Sequence, residues 1–198
     1  MGHIAGSESF RGSIWIRPSG LALETLQDAI RRIQRANVGP DPWPHVTLIG
    51  GIQMSRAEAE RRLRRLAAGF LPFNVKLGRL DGHPDYFRSF FAHVEPSDEL
   101  LALHRRAMEV FDLPVRDPYE PHVSLLYGEI DEATRRMLAA ELGGALDVTF
   151  RASSIHLVDA TRSKPVEQWR PLLECPLTYR ETAEGSASVR DVRGPQFA

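Results

Sequence analysis

The chain has 198 residues, 42% of them hydrophobic and 26% charged, the balance of a folded globular protein able to bury a core without staples. Lys and Arg number 25 against 26 Asp and Glu, a net charge of −1, which argues against a protein that coats nucleic acid through many phosphate contacts. The single cysteine, Cys175, excludes an internal disulfide framework, argues against a Cys-based zinc site, and suits a reducing, cytoplasmic setting.

The first predicted element is a strand at "SIWIRPS", residues 13–19, which alternates apolar and polar positions and closes on Pro18-Ser19-Gly20. A helix follows at 21–36, with Leu23, Leu26, Ile30 and Ile33 in one stripe and Asn37-Val38-Gly39-Pro40 as its stop. A strand at about 45–52 precedes a helix from Ser55, where Glu58 completes a capping box. Strands are expected at 73–80 and 86–94 around the turn residues 81–85, then a helix opened by Ser97 that ends before Pro114. Another strand near 121–127 leads to a helix at 131–146, and strands are expected within 147–160 and 167–177. From Arg180 onward periodicity is lost, so residues 1–179 read as one domain of two lobes and 180–198 as a flexible tail. No run of apolar residues reaches the length of a membrane helix, and the opening residues lack the pattern of a signal peptide, so no membrane association is expected. The order strand, helix, strand, helix, strands is followed by helix, strand, helix, strands, a duplicated plan. It predicts an α+β fold with two antiparallel sheets facing a central cleft and the helices outside.

"PHVTL" at 44–48 is nearly repeated as "PHVSL" at 121–125. Coincidence gives such a second copy roughly a few times in ten thousand at ordinary residue usage. On a strand, residues two apart share a face, so His45 projects with Thr47 and His122 with Ser124. An imidazole titrates near neutrality, so one of two facing histidines can take a proton from water while the other gives one to a leaving group. The hydroxyls can donate to the non-bridging oxygens of a phosphate. Two histidines and two hydroxyls around one anion therefore make a site for phosphodiester cleavage with neither metal nor cofactor. His83, His93, His104 and His156 have no repeated partner and read as structural. The arginine runs near 31–35 and 60–66 share helix faces with acidic residues and read as solvated.

Two His-x-Thr/Ser motifs 77 residues apart resemble the 2H phosphoesterases, which include 2′,3′-cyclic phosphodiesterases, bacterial 2′,5′ RNA ligase-like proteins and RNA-processing exonucleases. "SIWIRPSG", "PHVTLIGGI", "YFRSFFAHVEPSDELLALH" and "PHVSLLYG" are most similar to the plant and yeast cyclic phosphodiesterase branch, over roughly residues 13–177. The resemblance implies a bilobed pseudo-twofold fold, catalysis by His45 and His122, and phosphate contacts from Thr47 and Ser124. It implies as substrate a small cyclic nucleotide or ADP-ribose cyclic phosphate, opened by in-line attack of water to leave the 2′-phosphate.

Tyr127 matches an aromatic position near the substrate in that family. Five residues after His122 it falls on the wrong face of a regular strand, so a role there needs the strand to end or bulge at Leu126. Trp43 shares parity with His45, and Tyr86 shares a face of its predicted strand with Arg88, which makes both candidate substrate contacts. The alternatives are an RNA-end enzyme of the same superfamily, either a 3′ exonuclease or a 2′,5′ ligase-like phosphodiesterase, and a nucleotide-binding module without turnover. The chain reads as a monomer.

Overall fold

A computed structural model of the protein describes residues 9–35, 39–114 and 118–179. The expected tail, 180–198, and positions 37 and 38 of the predicted helix stop lie outside the described residues. In chain order the elements are β1 (Ser9–Ile16), α1 (Gly20–Gln34), β2 (Val46–Ser55), α2 (Arg56–Ala67), β3 (Phe73–Asp81), β4 (Phe90–Val94), α3 (Asp98–Val110), β5 (His122–Leu126), α4 (Glu132–Glu141), β6 (Thr149–Ala152), β7 (Ser154–Asp159) and β8 (Arg170–Pro176).

The strands form one eight-stranded antiparallel sheet in the order β6-β3-β4-β5-β2-β1-β7-β8. Its waist is narrow, because β2 and β5 pair only at Val46 opposite Val123 and then diverge. The two expected sheets are thus two four-stranded halves of one sheet, hinged at a single pair. Each half contributes one strand of the repeat to that waist.

The chain crosses between the halves. β3 pairs with β4 and not with β1 or β2, whereas β7, far along the chain, pairs with β1. The short link from Asp81 to Phe90 makes β3 and β4 a near-hairpin, which draws β3 into the second half. The helices cross as well, with α1 packed on β5 and α3 on β2. The stripe Leu26, Ile30 and Ile33 is buried as its spacing predicts.

Residues Tyr86–Arg88 form a 3₁₀ turn, so the predicted strand 86–94 begins only at Phe90. The cause is Asp85, whose side chain accepts from the Phe87 N–H and caps the turn. β1 starts earlier than expected because Ser9 to Gly12 pair with the far end of β2. Ser55 caps α2 as predicted, accepting from the Glu58 N–H. The Glu58 carboxylate, however, is held by Arg61 and Arg62, since charge-assisted bonds outcompete the return bond of a capping box. Arg56 and Arg64 pair with Glu60, so the outer face of α2 is laced with ion pairs. Among the described residues no helix is long and apolar enough to cross a membrane.

Both repeat strands carry a bulge at the same offset. In β2, Thr47 faces Trp15 and Ile49 faces Ile14, which leaves Leu48 as the extra residue. In β5, Ser124 faces Phe91 and Leu126 faces Phe90, which leaves Leu125. A bulge inserts one residue and reverses parity beyond it. The leucine that ends each pentapeptide is therefore the bulge itself, and it is buried in both copies.

Candidate active site

A cleft of 790 Å³ lies over the waist and is lined by both copies of the motif, with His45 and Thr47 from one half and His122 and Ser124 from the other. Each imidazole is pinned from behind by the chain that leads into its strand. His45 Nδ1 lies 2.5 Å from the Trp43 carbonyl, and His122 Nδ1 lies 2.9 Å from the Glu120 carbonyl, in each case two residues back. A carbonyl only accepts, so Nδ1 carries the proton in both rings and Nε2 is left to exchange one. The proline between carbonyl and histidine in each copy, Pro44 and Pro121, restricts the residue before it to extended backbone and so fixes this local turn.

The two rings sit in different surroundings. His45 is buried at 6% exposure and stacked on Trp15 at 3.6 Å and 14°. Burial pushes its pKa down to about 3, against the Trp43 carbonyl, with His122 and Arg17 adding repulsion. His122 is only half-buried and leans on Phe91 at 4.9 Å. Its pKa is also lowered, first by burial, against the Glu120 carbonyl, then by Arg88 and His93, while the Glu120 carboxylate works the other way. His93 is its direct cross-strand partner and lies 3.1 Å from Asp81.

The hydroxyls differ too. Thr47 lines the cleft half-buried, and its backbone carbonyl accepts from the Tyr119 hydroxyl at 3.0 Å. Ser124 is buried and donates to the Phe87 carbonyl at 3.1 Å, with the Tyr127 hydroxyl also bonded to it. To donate to a phosphate, Ser124 must release Phe87.

Tyr127 lines the cleft at 3% exposure, and burial pushes its pKa up to about 12. The Leu125 bulge resolves its parity, because the extra residue returns position 127 to the face of His122. Trp43 stands apart. Its ring is 37% exposed beneath the Arg17 guanidinium and outside the cleft lining, while its carbonyl holds His45. Tyr86 is 43% exposed on the 3₁₀ turn and packs edge-on against Phe87, outside the lining. Arg88 does reach the cleft, paired with Glu120 at 2.8 Å.

The aromatic wall was not legible in the sequence. Trp15, Phe87 and Trp169 line the cleft with Tyr127, the Trp15 and Trp169 rings meeting edge-on at 5.8 Å. Trp15 becomes identifiable only from register, since it faces Thr47 across β1 and β2. Trp169 comes from the segment before β8, which returns to the first half without a local signal. Among the described residues no group of three or more His, Cys, Asp or Glu is placed to hold a metal ion.

An Arabidopsis thaliana protein named cyclic phosphodiesterase is 24% identical over 170 residues, covering 83% of this chain and 94% of that protein. The crystal structure of E. coli LigT complexed with ATP superposes with a TM-score of 0.58 at 17% identity, covering 87% of this chain and 99% of LigT. The crystal structure of TT0787 of Thermus thermophilus does so at 0.58 and 16% identity, covering 86% and 100%. The family model of the 2′-5′ RNA ligase superfamily matches residues 22–164, and the chain belongs to that superfamily, the 2H phosphoesterases.

Proposed function

We propose that this protein is a cyclic phosphodiesterase that hydrolyses nucleoside 2′,3′-cyclic phosphates or ADP-ribose 1″,2″-cyclic phosphate to the monophosphate, leaving the phosphate on the 2′ oxygen. The observation that carries this reading is the pair of imidazoles, each with Nδ1 bound to the carbonyl two residues back and each beside a hydroxyl, lining one cleft. The reading is supported by the name of the Arabidopsis relative and by crystal structures of LigT, a protein of this fold, complexed with ATP and with 3′-AMP.

Water attacks phosphorus in line with the departing ribose oxygen. One Nε2 removes a proton from the water as the new P–O bond forms, and the other Nε2–H protonates the ribose oxygen as the old bond breaks. Thr47, and Ser124 once turned from Phe87, donate to the equatorial oxygens where charge builds up. Burial divides the roles. His45, sealed under Trp15, is the neutral base, and His122, more exposed and beside Glu120, holds the proton that is delivered. A bound phosphodiester anion raises the proton affinity of both rings and makes a protonated His122 accessible near neutral pH.

A second reading, action on cyclic phosphates at RNA ends, has one observation in its favour. The cleft shares Arg11, Thr161 and Ser163 with an adjoining polar groove of 430 Å³ that also contains Lys164, a path along which a longer strand can lie.

The test is turnover by purified protein of the four 2′,3′-cyclic nucleotides, ADP-ribose cyclic phosphate and a cyclic-phosphate-ended oligonucleotide in excess EDTA, with products assigned by phosphorus NMR. Hydrolysis of the small substrates to 2′-monophosphates is expected. Activity on the oligonucleotide alone selects the second reading, and activity abolished by EDTA contradicts both.

A further inference from the structure

The waist of the sheet poses a mechanical problem. Both catalytic motifs sit on strands that meet at one residue pair, so little in the ladder fixes how far one half opens from the other or where the Thr47 hydroxyl stands. The bulge adds to the difficulty. Beyond Val46 the backbone of β2 has left β5, and the carbonyls of Thr47 and Leu48 need partners from elsewhere.

Two side chains supply them. The Tyr119 hydroxyl donates to the Thr47 carbonyl at 3.0 Å, and His104 Nδ1 lies 2.8 Å from the Leu48 carbonyl. The rings of His104 and Tyr119 are stacked face to face at 3.8 Å and 3°. His104 comes from α3, which packs on β2, and Tyr119 sits three residues before His122, next to the Glu120 carbonyl that pins that histidine. Thus the segment that aligns one motif is bonded directly to the strand of the other. His104 is 7% exposed, and its Nε2 has no hydrogen-bond partner among the described residues. A buried polar atom left unpaired is uncommon. An apolar side chain would pack there at less cost, unless the bond to Leu48 is what the position needs.

We propose that Tyr119, reaching over from the segment before β5, and His104, on the helix packed against β2, are positioning residues that clamp the Thr47–Leu48 bulge and so set the Thr47 hydroxyl at the phosphate site. The inference rests on the role given above to Thr47 as a phosphate contact. Both rings line the cleft, yet they act through backbone carbonyls and not by touching the reacting atoms. Burial pushes the Tyr119 pKa upward, which keeps its hydroxyl a donor throughout the working pH range.

Tyr119→Phe keeps the ring and the stack while removing the donor, and His104→Phe keeps a ring while releasing Leu48. Each is made alone and in a Thr47→Val background, and two quantities are read: kcat and KM for 2′,3′-cyclic AMP, and Kd for inorganic phosphate followed through backbone amide shifts. The expected result is a loss of about tenfold in kcat for Tyr119→Phe with a smaller change in KM, and weaker phosphate binding. Both effects should largely vanish once Thr47 is Val, because a residue acting through Thr47 has nothing left to position. Equal losses in both backgrounds, or phosphate binding unchanged by Tyr119→Phe, overturn the clamp even if the enzyme turns over cyclic phosphates. Coupled phosphate binding without any turnover sustains the clamp and refutes the proposed reaction.

Discussion

Residues 45–48 and 122–125 are written almost alike and folded alike, with the same bulge, the same backbone pin on the histidine and the same hydroxyl two residues on. Their neighbours are not alike. His45 lies under Trp15, and burial above all depresses its proton affinity, whereas His122 is half-buried and is flanked by Phe91, Arg88, Glu120 and the His93–Asp81 pair. The repeat supplies two imidazoles held alike, and the surroundings make them unequal. An acid–base pair needs that inequality, because one group must be empty when the other is loaded.

The largest expected effect is the loss of either imidazole. His45→Ala and His122→Ala should each lower kcat by roughly 10²–10⁴, the range for a positioned general acid or base, measured on 2′,3′-cyclic AMP with circular dichroism as the folding control. If the roles are divided by burial, the two single variants differ in pH dependence. His45→Ala removes the limb on which activity rises with pH, and His122→Ala removes the limb on which it falls.

The hydroxyls come next. Thr47→Val should cost about tenfold in kcat/KM and Ser124→Ala less, because Ser124 must first give up its bond to Phe87. Equal losses from both would show that the hydroxyls contribute symmetrically despite their different partners.

A stability measurement sharpens the same comparison. His45 has a folded pKa of about 3 against about 6.5 when unfolded, so the unfolded state binds the extra proton. Its contribution is neutral above about pH 6.5 and becomes a penalty as pH falls toward 3, about 2 kcal/mol by pH 5. Urea unfolding at pH 7 and pH 5 should show His45→Gln losing less stability than the parent over that interval. An equal loss would mean that the ring is not held neutral by burial.

The smallest expected effect is on the cross-strand partner. His93→Gln removes a neighbour whose protonated form repels a proton on His122, so the His122 titration followed by NMR should move up. Asp81→Asn removes a negative charge from the same pair and should move it the other way. Shifts of the same sign in both would point to packing and not to charge.

Much of this was legible in the sequence. The helices showed in their apolar stripes and caps, and the shared face of His45 with Thr47 and of His122 with Ser124 showed in the doubled His-x-Thr/Ser spacing, because strand parity is local. What failed to show was everything set by register. Asp85 turned Tyr86–Arg88 away from the predicted strand through one side-chain bond. Trp43 has the right parity but a ring outside the cleft. Trp15 reaches the site through the β1–β2 register, and Trp169, Tyr119 and His104 through the exchange of strands and helices across the waist. Tyr127 falls between these cases, since its position depends on a bulge that the repeated leucine marks only in hindsight.

The most direct test of the paired mechanism is a double-mutant cycle on the histidines. It compares kcat for 2′,3′-cyclic AMP in excess EDTA for the parent, His45→Ala, His122→Ala and the double variant. If the two imidazoles act as one acid–base unit, each single loss removes nearly all that the pair contributes, and the double variant is little slower than either single one. Losses that multiply, or a parent enzyme silenced by EDTA, would contradict the account.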